Sequence, residues 1–310
     1  MKILLCDTIT HPTPVLKGWY YGLTDLGYTP SYLPVPQYSI LAVEEEYDVI
    51  VYPHIRYELL NEFETFKKRF PKTKIIGCRD SWDPFNNKLK DIVDFFIVAL
   101  DSTPSVIKDY NDNGFECYNI PLGGNNKLFF KNNMALKNYD ACFIGTLAHG
   151  DRGEDKYLYP ILDKYNCFLG GMNYKQYQYG FIPYETSNEY RNQSKINLNF
   201  HYGYQIKGKG KKNEPGNKNL DRNDLNQSTH NIALSGNFQL CDHPSVLEIY
   251  QGNIPVADKD NWLEMFEYYL NKEQEREELA YYAKLIAQKE HTWKVRMEQF
   301  IDILNTHYEK

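Results

Sequence analysis

The sequence lacks the features that define several large functional classes. No stretch of its 310 residues is apolar for the length of a transmembrane helix. The start, MKILLCDTIT, has no long apolar region like that of a signal peptide, so it predicts a first β-strand in a cytoplasmic protein. The net charge of −6 argues against a general nucleic-acid-binding surface.

Several motifs of cofactor and metal chemistry are also missing. The sequence contains no P-loop and no zinc-ligand spacing. Residues 208–210 (GKG) lack the third glycine and the preceding strand of a dinucleotide fingerprint, which disfavours a Rossmann-type dehydrogenase or epimerase. Residues 258–260 (DKD) have a D-x-D pattern, but Asn261 and Glu264 after them are typical of a capping box at a helix start. We therefore expect no metal site and no cofactor.

The six cysteines are scattered, and none forms a C-x-x-C pair. Cys6, Cys78, Cys142 and Cys241 lie in or beside strand-like runs. This placement predicts reduced thiols in the core of a cytoplasmic protein rather than a disulfide framework. The 42% hydrophobic and 25% charged residues are globular values, and the length suits two domains.

Apolar runs alternate with amphipathic stretches along the first 120 residues. Strands are predicted at residues 2–6, 48–52, 74–78, 95–99 and 116–120, and helices at residues 16–26, 57–70 and 104–111. This alternation predicts a mostly parallel sheet with right-handed crossovers. Two glycines after Pro121 mark the best boundary, so the first domain is predicted to cover residues 1–122.

The same alternation restarts after the boundary and predicts a second α/β domain over residues 123–290. Strands are predicted at residues 140–144, 167–169, 196–200, 237–241 and 253–257, and helices at residues 151–165, 185–193, 225–235, 245–250 and 262–270. Helical faces follow at residues 279–287 and 293–304. Residues 207–224 are polar, rich in glycine and lysine, and predict a surface loop, with a lid or an acceptor-binding loop as the alternative.

Polar residues cluster at one edge of this second domain. The strand at 196–200, the helix at 225–235 and the strand at 237–241 make a βαβ unit. Ligands in such units bind at the carboxyl ends of the strands and at the helix N-terminus. Asn199, His201 and residues 226–231 fall there, which suits a polar ligand such as a nucleotide or a sugar. Helix caps and solvated loop residues are the alternative interpretation.

Three blocks of the second half resemble the spore-maturation, CgeB-like branch of the GT-B glycosyltransferases. They are residues 194–201 (SKINLNFH), 228–242 (STHNIALSGNFQLCD) and 291–296 (HTWKVR), in the order of that branch. The resemblance implies two Rossmann-like domains facing each other across a cleft, with a C-terminal helix (residues 291–310) that crosses back to the first domain. It also implies transfer of a hexosyl or pentosyl group from a nucleotide-diphosphate sugar without a metal. The family's Arg and Glu are replaced here by Ser228 and Asn231, and that Glu usually holds the ribose hydroxyls of the donor.

The resemblance further implies a set of donor-binding residues in the second domain. They are Gly145, Thr146, Arg152, Tyr184, Asn199, His201, Thr229, His230, Asn231, Ser235 and Gly236. Gly145 and Thr146 would let a phosphate approach the backbone, and Arg152 would bind phosphate oxygens with two hydrogen bonds. The helix that begins near residue 226 would add the positive end of its dipole.

The first domain offers candidates for a general base. His11, His54 and Asp80 each follow a predicted strand, and Asp80 stands beside Arg79 and Trp82. The acceptor stays open among a glycan, a protein, a small molecule and a modified DNA base. The replacement at Asn231 motivates an alternative function, a non-catalytic two-domain protein that binds nucleotides or sugars.

Replacing Arg152 with alanine is expected to weaken nucleotide-diphosphate binding by roughly 1.5–3 kcal/mol, the range for a charge-assisted hydrogen bond. Titration calorimetry with a nucleoside diphosphate measures this change. An unchanged affinity would remove Arg152 from the phosphate site.

Overall fold

The computed structural model describes residues 1–7, 13–34, 39–52, 59–78, 87–98, 104–146, 154–172, 180–201, 225–258 and 260–308. The chain divides into two compact units. The first contains Met1–Leu122 and Trp293–Lys310, and the second contains the described residues between Gly123 and Thr292. Each unit has its own parallel sheet with flanking helices, which gives an α/β fold with two Rossmann-like sheets.

The first unit has six described strands in one parallel sheet. Its elements in chain order are β1 (Ile3–Asp7), α1 (Pro14–Asp25), β2 (Ser31–Pro34), β3 (Val49–Tyr52), α2 (Leu60–Arg69), β4 (Lys74–Cys78), β5 (Phe95–Val98), α3 (Pro104–Asp112) and β6 (Cys117–Asn119). The strand order is β2-β1-β3-β4-β5-β6, and every pair is parallel. Strands β1, β3 and β5 are buried on both faces, which explains why they are continuous apolar runs in the sequence.

The second unit repeats the design with four described strands. Its elements are β7 (Tyr139–Thr146), α4 (Glu154–Leu162), β8 (Cys167–Met172), α5 (Ser187–Asn192), β9 (Ser194–Asn199), α6 (Gln227–Leu234), β10 (Gln239–Cys241), α7 (Ser245–Ile249), α8 (Trp262–Leu270) and α9 (Glu273–Glu290). The strand order is β10-β9-β7-β8, again all parallel. The carboxyl ends of β9 and β10 therefore meet at one edge of the sheet, close to the start of α6.

The last helix, α10 (Trp293–Tyr308), belongs to the first unit. Its buried face includes Trp293, Met297 and Phe300, and it packs along α1. The contact is close because α1 has glycines where the helices meet. A Cβ atom on Gly22 would lie 2.5 Å from the carbonyl oxygen of Trp293, and one on Gly18 would overlap the Trp293 ring.

The structure corrects three local predictions. Residues 253–257 do not form a strand, because their pairing is limited to a bridge between Cys241 and Val256 beside Pro255, which has no N–H to donate. Strand β2 was not predicted, since its four residues are all only half-buried and give no apolar run. Asn261 makes no side-chain cap of α8, so the expected capping box is absent.

The six cysteines are all unpaired thiols, as the sequence indicates. Burial raises the pKa of the Cys142 thiol to about 11 and that of Cys167 to about 12. Both stay protonated at neutral pH, in keeping with a role in the core. In the part of the chain that is described, the helices are each too short or too polar to cross a lipid bilayer.

The contact between α1 and α10 leads to a stability prediction. Gly22→Ala is expected to lower the free energy of unfolding by about 1–3 kcal/mol, since the added methyl group meets backbone that cannot rotate away. This loss would outweigh the gain of about 1 kcal/mol that alanine brings to a helix interior. Urea denaturation measures the change, with Thr24→Ala on the exposed side of α1 as the control. Equal stability of Gly22→Ala and the parent protein would contradict the close contact.

Candidate functional site

Asn226 fixes the start of α6 at the carboxyl edge of the second sheet. Its Oδ1 accepts a hydrogen bond from the backbone N–H of Thr229 at 3.0 Å, which is the geometry of an N-cap. Its Nδ2 donates to Asn199 Oδ1 and to the carbonyl of Phe200, both at 3.0 Å. One side chain thus caps the helix and ties it to the end of β9.

A second layer of hydrogen bonds lies beneath this cap. Asn199 Nδ2 donates to Thr229 Oγ1 at 2.8 Å and to Gln239 Oε1 at 3.1 Å. Gln239 Nε2 in turn donates to the carbonyl of Thr229 at 2.9 Å. The three side chains are almost fully buried. They lock β9, β10 and α6 into one rigid edge, since breaking any link would leave a buried polar group unsatisfied.

His201 extends this network beyond the end of β9. Its Nδ1 and its backbone N–H both lie 2.9 Å from Asp242 Oδ1, and its Nε2 lies 3.1 Å from Thr229 Oγ1. The side chains of His201 and Asp242 are 4% and 3% exposed. The carboxylate therefore orients a buried imidazole, and that imidazole supports Thr229 rather than facing solvent.

His201, Cys241 and Asp242 also offer a nitrogen, a sulfur and an oxygen within 4.8 Å of one another. Such a donor set suits a zinc ion in principle. In this site, however, two of the atoms accept backbone donors: Asp242 Oδ1 accepts the N–H of His201 at 2.9 Å, and Cys241 Sγ accepts the N–H of His243 at 3.4 Å. Burial above all raises the pKa of the Cys241 thiol well above its usual value. These contacts favour a closed hydrogen-bonded cluster over a metal centre.

Asn231 lies one helical turn after the cap and is fully engaged by its neighbours. Its Oδ1 accepts the backbone N–H of Asn125 at 2.9 Å, and its Nδ2 donates to the Tyr184 hydroxyl at 3.1 Å. Gln227 Nε2 also lies 2.9 Å from that hydroxyl. Burial raises the pKa of Tyr184, so the phenol stays neutral. Asn231 therefore links the start of the second unit to Tyr184 instead of projecting towards a ligand.

Three other predicted donor residues are placed away from the edge. His230 is 3% exposed, and its Nδ1 lies 2.7 Å from the Tyr250 hydroxyl while its ring stacks on His291. It therefore packs inside the unit and does not face the edge. Ser235 and Gly236 lie at the carboxyl end of α6, where Ser235 Oγ donates to the carbonyl of Ile232. That end is about 12 Å from the helix start at 1.5 Å per residue.

The remaining predicted residues divide into described and undescribed positions. Gly145 and Thr146 are the last two residues of β7, pair with β8 and reach the same carboxyl edge as Asn199. Arg152, and the general-base candidates His11, His54 and Asp80, lie outside the described residues.

The residues predicted at this edge divide by how far they are exposed. Asn199, His201, Thr229 and Asn231 are buried, whereas Asn226, Gln227, Ser228 and Tyr184 are half-buried. The buried group and the Asn226 amide form the scaffold, and Gln227 and Ser228 in the first turn of α6 are partly exposed. Sequence reasoning missed Gln239 and Asp242 as members of the scaffold, although both lie in or directly after a predicted strand.

The cap at Asn226 leads to a stability prediction. Asn226→Ala removes the acceptor for Thr229 N–H and both Nδ2 donations, so it is expected to cost about 1–2 kcal/mol of unfolding free energy, the upper part of the N-cap range. Asn226→Ser keeps a side-chain oxygen that can cap the helix and loses the two donations, so its loss should be smaller. Chemical denaturation ranks the two variants. A larger loss for Asn226→Ser than for Asn226→Ala would contradict the capping role.

The comparisons with known proteins bear on this same region. Residues 149–302 match the family model described as glycosyl transferase-like, and this span contains β9, α6 and β10. No curated protein matches the sequence.

Solved structures resemble the whole chain. Sucrose-phosphate synthase from Thermosynechococcus elongatus is 10% identical, with a TM-score of 0.61 and 99% of each chain covered. Anabaena HepE, solved in complex with UDP and glucose, is 11% identical, with a TM-score of 0.64 and coverage of 99% of this chain and 100% of that one. AviGT4, a glycosyltransferase involved in avilamycin A biosynthesis, is 12% identical, with a TM-score of 0.63 and coverage of 97% and 96%.

At these identities the likeness establishes the fold, and the family model identifies the segment that carries the edge. The chain therefore has the two-sheet α/β fold of GT-B glycosyltransferases, and its residues 149–302 match the glycosyl transferase-like family model.

Proposed function

We propose that this protein is a glycosyltransferase that moves a hexosyl or pentosyl group from a nucleotide-diphosphate sugar to an acceptor, and that it belongs to the CgeB-like branch. One observation carries the proposal. The rigid polar edge formed by β9, β10 and the start of α6 lies inside the segment that matches the glycosyl transferase-like family. HepE, which has a similar fold, binds UDP and glucose, and this supports a nucleotide-sugar donor.

The donor diphosphate is proposed to bind at the N-terminus of α6. A helix start carries a partial positive charge and N–H groups that lack partners within the helix, both of which favour a phosphate; here the N–H of Thr229 is already used by the Asn226 cap. Asn226 fixes the direction of these groups, and the buried links from Asn199 and Gln239 hold the helix in register with the strands. Because this arrangement is built before the ligand arrives, little reorganisation is needed as charge develops on the leaving group.

Ser228 and Tyr184 are proposed as the contacts of the donor rather than Asn231. Ser228 is half-buried in the first turn of α6, at the position where the resembling family has an arginine. Tyr184 has a half-buried ring, and its hydroxyl is fixed by Asn231 and Gln227. The ribose contacts that a family Glu would make thus pass to the neighbours that Asn231 positions.

We also propose that the transfer needs no metal ion, because the candidate carboxylate ligands, Asp258 and Asp242, already accept hydrogen bonds from the protein. Asp258 Oδ1 accepts the backbone N–H groups of Asp260 and Asn261, at 2.8 and 3.2 Å, so the D-x-D residues stabilise a turn. Asp242 is buried against His201. Phosphate charge would instead be neutralised by N–H groups and by Arg152.

A non-catalytic nucleotide- or sugar-binding protein is the second candidate. Two observations on Asn231 favour it: this residue is not the carboxylate of the family's Glu position, and its side chain hydrogen-bonds to Asn125 and Tyr184.

The proposed glycosyltransferase is further proposed to act in the cytoplasm, on an acceptor that is a glycan, a protein, a small molecule or a modified DNA base.

A panel of UDP-, GDP-, ADP- and dTDP-sugars tests the proposal. Incubation with the matching donor should release the nucleoside diphosphate, slowly with water and faster with an acceptor. Thermal stabilisation by a donor without release of the nucleotide would favour the binding protein. No stabilisation and no release with any donor would contradict both candidates.

Restoring the family's arginine should strengthen donor binding. Ser228→Arg places a guanidinium at the helix start, where it can pair with a phosphate, and should raise nucleoside-diphosphate affinity by about tenfold, equivalent to about 1.4 kcal/mol. Thr24→Arg, at an exposed position in α1, adds the same charge elsewhere and should leave the affinity unchanged. Calorimetric titration compares the two, and equal affinities would argue against a phosphate at this helix start.

Chelation tests the absence of a metal requirement. Activity is expected to survive EDTA, since the candidate ligands among the described residues are engaged in hydrogen bonds. Complete loss with EDTA, restored by manganese, magnesium or zinc, would make the carboxylates or the cluster of His201, Cys241 and Asp242 a metal site.

A further inference from the structure

A cavity of about 220 Å³ opens at the opposite edge of the second sheet. Lys195, the second residue of β9, and Lys137, two residues before β7, place it at the amino ends of the strands. Lys131 and the first turns of α9 complete the wall. Since β9 has six residues at about 3.3 Å each, the cavity is roughly 20 Å from the edge where α6 begins. We refer to it as the basic cavity.

Cations outnumber carboxylates in the wall of the basic cavity. Its charged residues are Lys131, Lys137, Lys195, Arg276, Glu273 and Glu277. Lys195 pairs with Asp140 at 2.7 Å, but Lys131 lies 3.9 Å from Glu277, at the outer limit of an ion pair. Among the described residues, no carboxylate lies within 4.0 Å of the Lys137 ammonium or the Arg276 guanidinium. The four cations of the wall thus exceed the nearby carboxylates of Glu273, Glu277 and Asp140 by one positive charge.

Arg276 is the most buried of these cations, at 7% exposure. Its Nη1 donates to the carbonyls of Tyr269 and Leu270 at the end of α8. In the described part of the chain its Nη2 and Nε have no hydrogen-bond partner. A guanidinium in a cavity wall that is held by one nitrogen keeps two further nitrogens as donors for a planar or tetrahedral oxyanion.

Lys137 is exposed along its stem, but its ammonium is turned inward. It donates to the carbonyls of Asn192 and Ser194, both at 2.9 Å, and to Asn237 Oδ1 at 3.2 Å. Partial burial of the ammonium above all, and then repulsion from Lys131 and Arg276, lowers the pKa of Lys137 to about 8, although Glu277 and Glu273 partly offset this shift. These cations are thus held close together at an electrostatic cost, which a bound anion would relieve.

We propose that the basic cavity binds a phosphate group, and that it is a second anion site separate from the start of α6. The phosphate oxygens would be contacted by Lys131, Lys195 and Arg276. The Lys137 ammonium already donates to three protein oxygens, so it would attract the phosphate by its charge without direct contact. The volume is below the 300–1,000 Å³ or so that is typical of pockets for drug-sized ligands, which selects a small anion. Inorganic phosphate, pyrophosphate and the phosphoryl group of a small metabolite share this chemistry. The inference does not depend on the proposed transferase activity.

Phosphate, pyrophosphate and a sugar phosphate serve as separate calorimetric probes at constant ionic strength. The double variant Lys131→Gln/Lys195→Gln should lose at least tenfold in affinity for the probe that binds best. Lys289→Gln, an exposed lysine at the far end of α9, should bind as the parent protein does. The probe that binds best identifies the source of the phosphate group, and equal affinity of the double variant and the parent would overturn the proposal.

Two further measurements guard against misfolding and against binding at the other edge. Glu277→Gln removes an exposed carboxylate from the wall and should tighten binding by about threefold, within the range for one exposed charge pair. Asn226→Asp adds a negative charge at the start of α6 and should leave this affinity unchanged. Weaker binding in Asn226→Asp with none lost in the double variant would place the phosphate at α6 and contradict the basic cavity.

The pH dependence gives a third check with a defined sign. A bound anion raises the pKa of Lys137, so binding takes up a proton wherever the unliganded ammonium is partly deprotonated. The ratio of the parent's affinity to that of Lys137→Met, in which the titration of the phosphate probe cancels, should therefore fall as pH rises through about 8, the pKa of Lys137 in the unliganded protein. A ratio that is constant from pH 7 to pH 9 would contradict the role of Lys137.

Discussion

The hydrogen bonds of Asn226 are the constraint on which the rest of the second unit's edge depends. Its side chain caps α6 through Thr229 and joins the helix to β9 through Asn199. Without these bonds the first turn of a helix of only eight residues would have little reason to form where it does. His201 contacts Thr229 in turn, and Gln239 contacts both Asn199 and Thr229. The direction of the helix start therefore follows from one capping residue.

At this edge, the buried polar residues hold the structure together, and the half-buried residues are the ones available to a ligand. Buried polar groups are costly unless they are paired, and here they are paired with one another. Such a network fixes the positions of the half-buried residues Gln227, Ser228 and Tyr184. The replacement of the family's Glu by Asn231 fits this arrangement, because an amide can accept from Asn125 and donate to Tyr184 at the same time, which a carboxylate cannot.

Much of the fold could be predicted from the sequence, because buried parallel strands appear as apolar runs and helices as periodic ones. The two halves, the βαβ unit around α6 and the face of α10 all followed from these patterns. Strand β2 and the non-strand at residues 253–257 could not be predicted, since the first has no apolar run and the second is apolar but contains Pro255. The residues of the candidate site were harder to predict than the fold. The sequence shows that the edge is polar. Whether a side chain such as His230 points towards Tyr250 or towards a ligand depends on tertiary packing, which the pattern of a single sequence does not reveal.

Hydrogen–deuterium exchange in the presence of a nucleoside diphosphate tests the central claim most directly. If the start of α6 is the diphosphate site, saturating nucleotide should slow exchange of the amides in residues 226–230 and leave those of α1 and α10 in the first unit's core unaffected. Protection confined to other segments, with unchanged exchange at 226–230, would contradict the account.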